Sequence, residues 1–283
     1  MLRLRRASPA GAWENRMVRS VIFFLCVFVI SACLALLYAF GFSRLFFAVL
    51  TATSLSIVYL LFHPRNQWLV ANRSWVTGPR AVALTFDDGP DPVDTPKLLD
   101  LLREKGVKAT FFVVGKRADQ HPEIVRRAWA EGHLIANHTW SHHPLFCFLL
   151  PRRLRSEIEG GAESIRRICG SRPRLFRSPV GLRHPLLAPY LENAGLEYIS
   201  WRIRTRDTLT ANSSVLARRI LRKASSGDII LLHDRLPGGT DAMLKALPQV
   251  IDALREQGFQ FVLAGPREDA GGTPLSTACE SVP

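Results

Sequence analysis

The sequence predicts an α/β fold that follows an N-terminal membrane anchor. From residue 80 onward, about seven short apolar segments alternate with segments of helical periodicity. These apolar segments are continuously hydrophobic, as expected for strands of a parallel sheet that helices cover on both faces. Periodicity does not distinguish a closed barrel from an open, doubly wound sheet. Before residue 63, two long uncharged apolar segments predict the anchor.

The predicted membrane anchor, residues 21–62, consists of two apolar runs. Residues 21–42 are long enough to cross a bilayer as a helix, and residues 45–62 form a second, slightly short candidate. We predict a helical hairpin, because a signal peptide would have a shorter apolar core and a cleavage site before a polar mature segment. In the rival topology only the first run crosses, the second lies in the interface, and the soluble part is outside.

Arginines flank the two runs and predict the orientation. The basic segment, residues 1–20, carries five arginines, and Arg65, Arg73 and Arg80 follow the second run. By the positive-inside rule, both ends of the hairpin and the soluble domain lie on the cytoplasmic side of the cytoplasmic membrane. We interpret the net charge of +13 mainly as a source of attraction to anionic lipid headgroups. No basic motif interleaved with aromatic residues predicts binding to nucleic acid. The five cysteines show no metal-binding or redox spacing.

Composition divides the rest of the chain into three parts. Residues 63–79 are predicted as a polar linker, and residues 266–283, rich in Gly, Pro, Ser and Thr, as a disordered tail. The α/β domain occupies residues 80–265. Its strands are predicted at residues 81–86, 109–114, 134–137, 174–177, 196–201, 228–232 and 259–263. Its helices are predicted at residues 95–106, 121–131, 151–169, 185–194, 214–224 and 241–257.

Two adjacent carboxylates end the first strand of the domain. Residues 85–90 read Thr-Phe-Asp-Asp-Gly-Pro, so Asp87 and Asp88 are presented at a Gly-Pro turn. Neighbouring carboxylates can divide two tasks, one binding a metal ion while the other remains a base, because each environment sets its own pKa. The alternative is an acidic turn without chemical function, since Asp, Gly and Pro are all common in turns.

Histidines follow a later strand. His138, His142 and His143 lie within six residues, and the first two are four positions apart, so one helical turn would bring their imidazoles to one face. The carboxyl ends of parallel strands meet at one rim of a sheet. Together with Asp88, His138 and His142 therefore predict a metal site of two histidines and one carboxylate, with positions open for water and substrate. His143 is predicted to be structural or on the surface.

An arginine and a histidine complete this rim. Arg177 ends the strand 174–177, where it could fix a carboxylate by a bidentate contact, and an ordinary surface arginine is the alternative. His233 follows the apolar residues 229–232, and its alternative is a histidine with satisfied hydrogen bonds at the edge of the core.

These motifs, in this order, resemble the polysaccharide deacetylase family of carbohydrate esterases, which includes chitin, chitooligosaccharide and peptidoglycan deacetylases. The resemblance rests on Thr-Phe-Asp-Asp-Gly-Pro (85–90), His-Thr-Trp-Ser-His (138–142), Arg-Ser-Pro-Val-Gly (177–181) and Ile-Leu-Leu-His-Asp (230–234). It spans residues 81–263, nearly all of the soluble part. The resemblance implies a distorted, incomplete (β/α) barrel of about seven parallel strands.

The resemblance also implies roles for the site residues. A divalent metal ion, expected to be zinc, would be bound by Asp88, His138 and His142. Asp87 would be the catalytic base, oriented by a second residue of the same rim, Arg177.

The other wall of the site would supply the acid and the substrate pocket. His233 would be the general acid that protonates the leaving amine. Leu231 would line the pocket for the acyl methyl group, and the backbone N–H of Val180 would stabilise the oxyanion.

Two positions depart from the family pattern. Val180 stands where the family often has an aromatic residue, which removes a stacking surface for a sugar ring. The family also commonly carries an Asp-x-x-Asp-Trp pattern, and the matching stretch here begins with Arg204 in place of the first acid. That acid would partner His233. Asp207 remains in the stretch and is the candidate substitute.

An apolar segment follows the metal histidines. Residues 145–150 read Leu-Phe-Cys-Phe-Leu-Leu and are followed by Arg152, Arg153 and Arg155. The segment either packs in the core or dips into the bilayer beside the active site, where it would help to present a polyprenyl-phosphate-linked N-acyl sugar.

The predicted function is therefore metal-dependent removal of an acetyl or formyl group from an amino sugar of a glycan or lipid-linked saccharide at the membrane. Three alternatives remain. They are an outward-facing wall-polymer deacetylase, a catalytically weakened carbohydrate-binding membrane protein, and a membrane-anchored basic structural protein. The departures at Val180 and Arg204 favour the second, and the clustered His and Asp motifs argue against the third.

Overall fold

The computed structural model describes residues 9–63 and 66–265. The described part of the chain begins with two helices, α1 (Pro9–Ala39) and α2 (Ser43–Phe62), which a short turn connects into a hairpin. The segments Ser20–Ala39 and Ser43–Phe62 are long and apolar enough to cross a membrane, with mean hydropathies of 2.9 and 2.2. The predicted tail, residues 266–283, and the start of the basic segment, residues 1–8, lie outside the described residues.

The domain that follows is a curled, incomplete barrel of parallel strands covered by helices. Its strands are β1 (Asn72–Arg73), β2 (Ala81–Asp87), β3 (Thr110–Val113), β4 (Leu134–Asn137), β5 (Leu175–Phe176), β6 (Glu197–Ile199), β7 (Ile203–Arg204), β8 (Asp228–His233) and β9 (Gln260–Phe261). Their order in the sheet is β1-β6-β5-β4-β3-β2-β8-β7, with β9 beside the start of β2, and every pairing between these strands is parallel. Among the described residues β1 and β7 do not pair with each other, so the barrel stays open there. The predicted incomplete barrel is confirmed.

Seven helices belong to this described domain. They are α3 (Asp94–Glu104), α4 (Gly115–Gln120), α5 (Pro122–Ala130), α6 (Pro151–Cys169), α7 (Leu187–Asn193), α8 (Ser213–Leu221) and α9 (Asp241–Glu256). The helix predicted at 121–131 is preceded by a separate short helix, α4, and a new helix starts at Pro122. Proline is favourable at the first helical position because its missing N–H would have no partner there.

Residues 63–79, predicted as a polar linker, are partly folded into the domain. β1 pairs with β6, and Leu69 and Val70 are buried. Strands of two residues, such as β1 and β7, are too short to produce a recognisable period in the sequence, which is why neither was predicted.

Alternation along the central strands decides which side chains enter the barrel. The even-numbered residues 82, 84 and 86 of β2 are apolar and pack against the outer helices. In contrast, Ala81 and Ala83 belong to the inner apolar cluster. In β8, Ile229 and Leu231 belong to that same inner cluster. Because successive side chains of a strand point to opposite faces, each inner column continues toward the carboxyl end of its strand at every second residue.

Candidate active site

The inner columns of β2 and β8 end at the same rim of the barrel. Asp87 and His233 are the last residues of these strands and are direct partners in the parallel register. They continue the inner parity of Ala83 and Leu231. The sheet therefore places a carboxylate and an imidazole side by side at its carboxyl end.

Arg177 is fully buried and contacts Asp87. Its Nη1 donates to Asp87 Oδ1 at 2.6 Å, and its Nε and Nη2 donate to the carbonyl oxygens of Ile199 and Ser200 at 3.3 Å each. The guanidinium lies over the ring of Phe112, with Cζ 4.0 Å from the ring centroid. The prediction of a bidentate contact for Arg177 is wrong, because its other two nitrogens donate to backbone carbonyl oxygens and not to the carboxylate. The result is an ion pair in which Arg177 holds Oδ1 of Asp87 and makes no hydrogen bond to Oδ2.

Asp88, His138 and His142 converge at the same rim. Their candidate ligand atoms all lie within 4.8 Å of one another. Asp88 Oδ1 is 2.9 Å from His142 Nε2 and 3.4 Å from His138 Nε2. His138 Nδ1 lies 2.8 Å from the carbonyl oxygen of Arg177, and a proton on Nδ1 leaves the Nε2 lone pair available to a cation. Two imidazoles and a carboxylate so arranged fit a divalent ion such as zinc.

The three candidate ligands are held in an arrangement that favours a cation. Burial acts to raise the pKa of Asp88, but the hydrogen bonds and charges of His138 and His142 outweigh it and hold that pKa well below the usual carboxyl range. Asp88 and His142 also have left-handed backbone conformations, with φ of 77° and 56°. Such conformations are uncommon outside glycine and concentrate at functional sites, where the surrounding structure enforces them.

Residues outside the predicted motifs hold the turn that carries the histidines. Glu157 of α6 is buried, and it accepts hydrogen bonds from the backbone N–H and the hydroxyl of Ser141 at 2.8 and 2.7 Å. Asn137 Oδ1 accepts the N–H of Thr139 at 2.9 Å. A Cβ at Gly161 would lie 2.2 Å from that same oxygen, so α6 approaches the turn closely only because the position is glycine. Sequence reasoning missed all of these contacts.

His233 is paired with Asp207. His233 Nδ1 lies 2.9 Å from Asp207 Oδ1, and the backbone N–H of His233 donates to Asp207 Oδ2 at 2.8 Å. Asp207, the candidate substitute for the acid that Arg204 replaces, therefore reaches His233. Arg204 is exposed at the end of β7, and a left-handed residue, Arg206, turns the chain so that Asp207 reaches the histidine.

Asp207 controls the charge of His233. Burial acts to lower the pKa of His233, but the hydrogen bond and charge of Asp207, together with the charges of Asp87 and Asp88, outweigh it and raise that pKa to about 9. The imidazole is then protonated near neutral pH, and its Nε2–H is available as a proton donor.

The other predicted residues lie around this centre. Leu231 is buried inside the barrel two positions before His233. Val180 is 56% exposed in the turn after Arg177 and has a φ of 57°. His143 Nδ1 accepts the backbone N–H of Leu145, a contact consistent with the structural role expected for it.

A further acid, Asp234, is buried next to the Asp-Gly-Pro turn. Its Oδ2 accepts the hydroxyl of Thr95 at 2.7 Å. Burial raises the pKa of Asp234 to about 7, although the Thr95 hydrogen bond opposes the shift. A Cβ at Gly89 would lie 2.0 Å from Asp234 Oδ2, so the position after Asp88 has room only for glycine.

Comparison with known proteins places this site in a family. The family model for polysaccharide deacetylase matches residues 76–199. The chain is 37% identical over 197 residues to a chitooligosaccharide deacetylase of Bradyrhizobium sp., covering 66% of this chain and 90% of that protein. It is 35% identical over 200 residues to a peptidoglycan-N-acetylglucosamine deacetylase of Bacillus cereus, covering 69% of this chain and 89% of that protein.

A solved structure extends the similarity to the fold. The family 4 carbohydrate esterase from Streptomyces lividans, solved in complex with acetate, is 30% identical and superposes with a TM-score of 0.60, covering 71% of this chain and 98% of that chain. The sequence matches and the shared incomplete barrel agree. The chain belongs to the polysaccharide deacetylase family of carbohydrate esterases.

Proposed function

We propose that this protein is a metal-dependent amide hydrolase that removes an acetyl or formyl group from an amino sugar at a membrane. The observation that carries the proposal is the convergence of three units at one rim of the barrel. These units are the ligand set Asp88–His138–His142, the pair Asp87–Arg177 and the pair Asp207–His233. The relatives named as chitooligosaccharide and peptidoglycan N-acetylglucosamine deacetylases support an N-acylated amino sugar as the substrate class.

Asp87 is the proposed general base. When bound by the ligand set, a divalent ion supplies Lewis acidity that polarises an acyl carbonyl and makes a water molecule more acidic. Arg177 holds Asp87 Oδ1, whereas Asp87 Oδ2 lies 3.9 Å from His138 Nε2, close to the ligand set. Oδ2 is therefore the oxygen that would take a proton from the attacking water.

His233 is the proposed general acid, on the opposite wall. Its protonated ring would donate from Nε2 to the leaving amine, while Asp207 holds Nδ1 and fixes the orientation of the ring. We assign the backbone N–H of Val180 as a donor to the developing oxyanion and Leu231 as part of the wall that contacts the acyl methyl group.

The membrane anchor sets the proposed location and substrate. The two apolar helices pack on the domain as well as on each other, which supports a retained anchor in place of a cleaved signal sequence. With arginines flanking both runs, we propose that the domain lies on the cytoplasmic side, where its substrate is a sugar linked to a polyprenyl phosphate. An outward-facing domain would instead favour a finished wall polymer.

A reporter fused to the C-terminus tests the proposed side of the membrane in living cells. We expect a fused β-galactosidase to be active and a fused alkaline phosphatase to be inactive, because the first works in the cytoplasm and the second needs an oxidising compartment. The reverse pattern would show that the domain faces outward, and would favour a wall polymer over a lipid-linked sugar as the substrate.

Activity is tested on the full-length protein in detergent after loading with zinc. The substrates are N-acetyl- and N-formyl-glucosamine on polyprenyl phosphate and a soluble chitotetraose, and released acetate or formate is measured by mass spectrometry. His233→Ala should lower turnover about 10²- to 10⁴-fold. The matched control Arg204→Ala should retain wild-type turnover, because Arg204 is exposed outside the site. If zinc-loaded wild type binds these saccharides but releases no acyl group, the protein is the carbohydrate-binding alternative and the proposed activity is wrong.

A further inference from the structure

The apolar segment after the metal histidines, residues 145–150, divides into buried and exposed side chains. Phe146 is fully buried, with its ring centroid 6.1 Å from that of Phe176. In contrast, Leu145, Phe148 and Leu150 are 57%, 69% and 77% exposed. We call residues 145–150 the apolar loop. Core packing therefore accounts for the middle of this loop, and three large apolar side chains still face outward.

The apolar loop is linked to the ends of the two apolar helices through residues 183–185. His184 Nε2 donates to the carbonyl oxygen of Leu149 in the apolar loop at 3.0 Å. The backbone N–H of Arg183 donates to the carbonyl oxygen of Leu61 at the end of α2. At the start of the first candidate span, the hydroxyl of Ser20 donates to the carbonyl oxygen of Pro185 at 2.7 Å.

A buried arginine strengthens this junction. Arg183 is fully buried, and its Nη1 donates to the carbonyl oxygen of His63, just beyond α2, at 2.5 Å. The last carbonyl groups of a helix lack partners within the helix and carry partial negative charge, which a guanidinium neutralises. The domain is thereby held directly at the end of the hairpin, with the apolar loop next to it.

Positive charge lies beside the exposed apolar side chains. Arg152, Arg153 and Arg155 occupy the first two turns of α6 and are exposed. Cations at a helix N-terminus are electrostatically unfavourable for the helix, so helix stability does not explain them. Arg153 contacts Glu157 at 3.2 Å, whereas Arg152 and Arg155 have no acidic partner within the described chain. Apolar side chains with adjacent free cations match the chemistry of a membrane interface that contains anionic lipid.

We infer that the apolar loop is a second membrane contact, separate from the hairpin. Leu145, Phe148 and Leu150 enter the interfacial region of the leaflet at which the two helices end, and Arg152 and Arg155 contact lipid phosphates. His142, a candidate metal ligand, lies three residues before the loop. The loop therefore holds the entrance of the active site at the level of the headgroups. This inference rests on the proposed membrane anchor and deepens the proposed function, because it favours substrates carried by a lipid.

Photo-cross-linking of the full chain tests the contact independently of activity. p-Benzoylphenylalanine replaces Phe148 in one sample and Trp75 in a matched control, in vesicles of phosphatidylethanolamine and phosphatidylglycerol at 3:1. Trp75 is also an exposed aromatic residue, but it pairs with Asp228 at the opposite end of β8 from the active site. We expect lipid adducts at position 148 and none at position 75.

Other outcomes of this experiment overturn the inference. A cross-linked dimer through position 148 would mean that a second copy of the chain covers the apolar loop. Absence of lipid adducts at position 148, in protein that still sediments with the vesicles, would show that the hairpin is the membrane contact and the loop is not. Protein that fails to sediment with the vesicles would contradict the anchor itself, and with it the second contact.

Activity on two substrates tests the consequence for the site. Phe148→Glu combined with Leu150→Glu should lower turnover of vesicle-embedded polyprenyl-phosphate N-acetylglucosamine at least about tenfold, since charged side chains cannot replace apolar ones in the interface. Turnover of soluble chitotetraose in detergent should stay at the wild-type level, which also shows that the variant is folded. Equal effects on both substrates would contradict the role of the loop. If wild type turns over neither substrate, the proposed function fails, while the cross-linking result still decides the membrane contact.

Discussion

Asp207→Asn is expected to move the alkaline limb of the pH–rate profile to lower pH. The substitution keeps the size of the side chain and an oxygen that can accept the backbone N–H of His233. It removes the negative charge that keeps the imidazole protonated against the effect of burial. If His233 is the general acid, the enzyme loses activity as this imidazole loses its proton.

The magnitude follows from the two pKa values. In the wild type the pKa of His233 is about 9. For Asp207→Asn we use the ordinary histidine value of 6.5, because the charge that raises the pKa is gone. At pH 8 the protonated fraction is about 0.9 for the first and about 0.03 for the second, so kcat/KM should fall about 30-fold. At pH 6 the two fractions are about 1.0 and 0.8, so the variant should approach the wild type.

The assay is kcat/KM for acyl release by zinc-loaded protein between pH 5.5 and 9.5. The control is Asp241→Asn, which removes an exposed acid at the start of α9 and should leave the curve unchanged. A loss of the same size at every pH would mean that Asp207 acts through structure alone. An unchanged alkaline limb would refute His233 as the proton donor.

Two further changes probe the supports of the site. Glu157→Gln should weaken zinc affinity at least about tenfold, because the turn of Ser141 loses a charged acceptor. Chelator competition measures this affinity, with Glu159→Gln as the control. Equal zinc affinities in Glu157→Gln and the wild type would contradict the prediction. Asp234→Asn should raise the melting temperature relative to the wild type at pH 8. Burial raises the pKa of Asp234 from 3.8 to about 7. The wild type therefore has its full stability with respect to this group at low pH, where the acid is neutral, and has lost this contribution once the pH has risen through about 7, where the buried acid is charged. A difference in melting temperature that does not grow between pH 4 and pH 8 would show that Asp234 is not buried in this way.

The central part of the fold and site could be predicted from the sequence because its signals are local. The strands β2 and β8 are long, continuous apolar runs, and each ends directly at a chemically informative residue, Asp87 or His233. Once the strands are known to be parallel, their carboxyl ends must meet at one rim. The order of the motifs along the chain therefore suffices to bring Asp88, His138 and His142 together.

Contacts that depend on a single turn could be suggested from the sequence at most, and not established. Asp207 reaches His233 because Arg206 adopts a left-handed conformation, and an arginine gives no sequence signal for that conformation. Matching by position places the exposed Arg204 where the family has its acid, so Asp207 could be named only as a candidate substitute, without showing that its side chain reaches His233. Glu157 offered a weak signal, since it is an acid next to Ile158 on the buried side of α6, but only the fold identifies Ser141 as its partner.

The apolar loop shows where composition alone is ambiguous. Six consecutive apolar residues were compatible with a core segment or with a membrane contact. The short 3₁₀ turn Phe146–Phe148 directs Phe146 into the core and Phe148 outward, so one part of the segment is a core segment and the other part is available for the proposed membrane contact. A test of the exposed part must therefore leave Phe146 unchanged, since replacing it would disturb the core.

The most direct measurement of the central claim compares Asp88→Asn with Asp87→Asn in bound zinc per chain and in acyl release from the same preparations. Asp88→Asn should lose both the metal and turnover, because it removes a ligand of the proposed set. Asp87→Asn should keep zinc at the wild-type stoichiometry and lose about 10²- to 10⁴-fold in turnover, because it removes only the base. Wild-type zinc content and turnover in Asp88→Asn would contradict the assigned metal site, and wild-type turnover in Asp87→Asn would contradict the division of tasks between the two carboxylates.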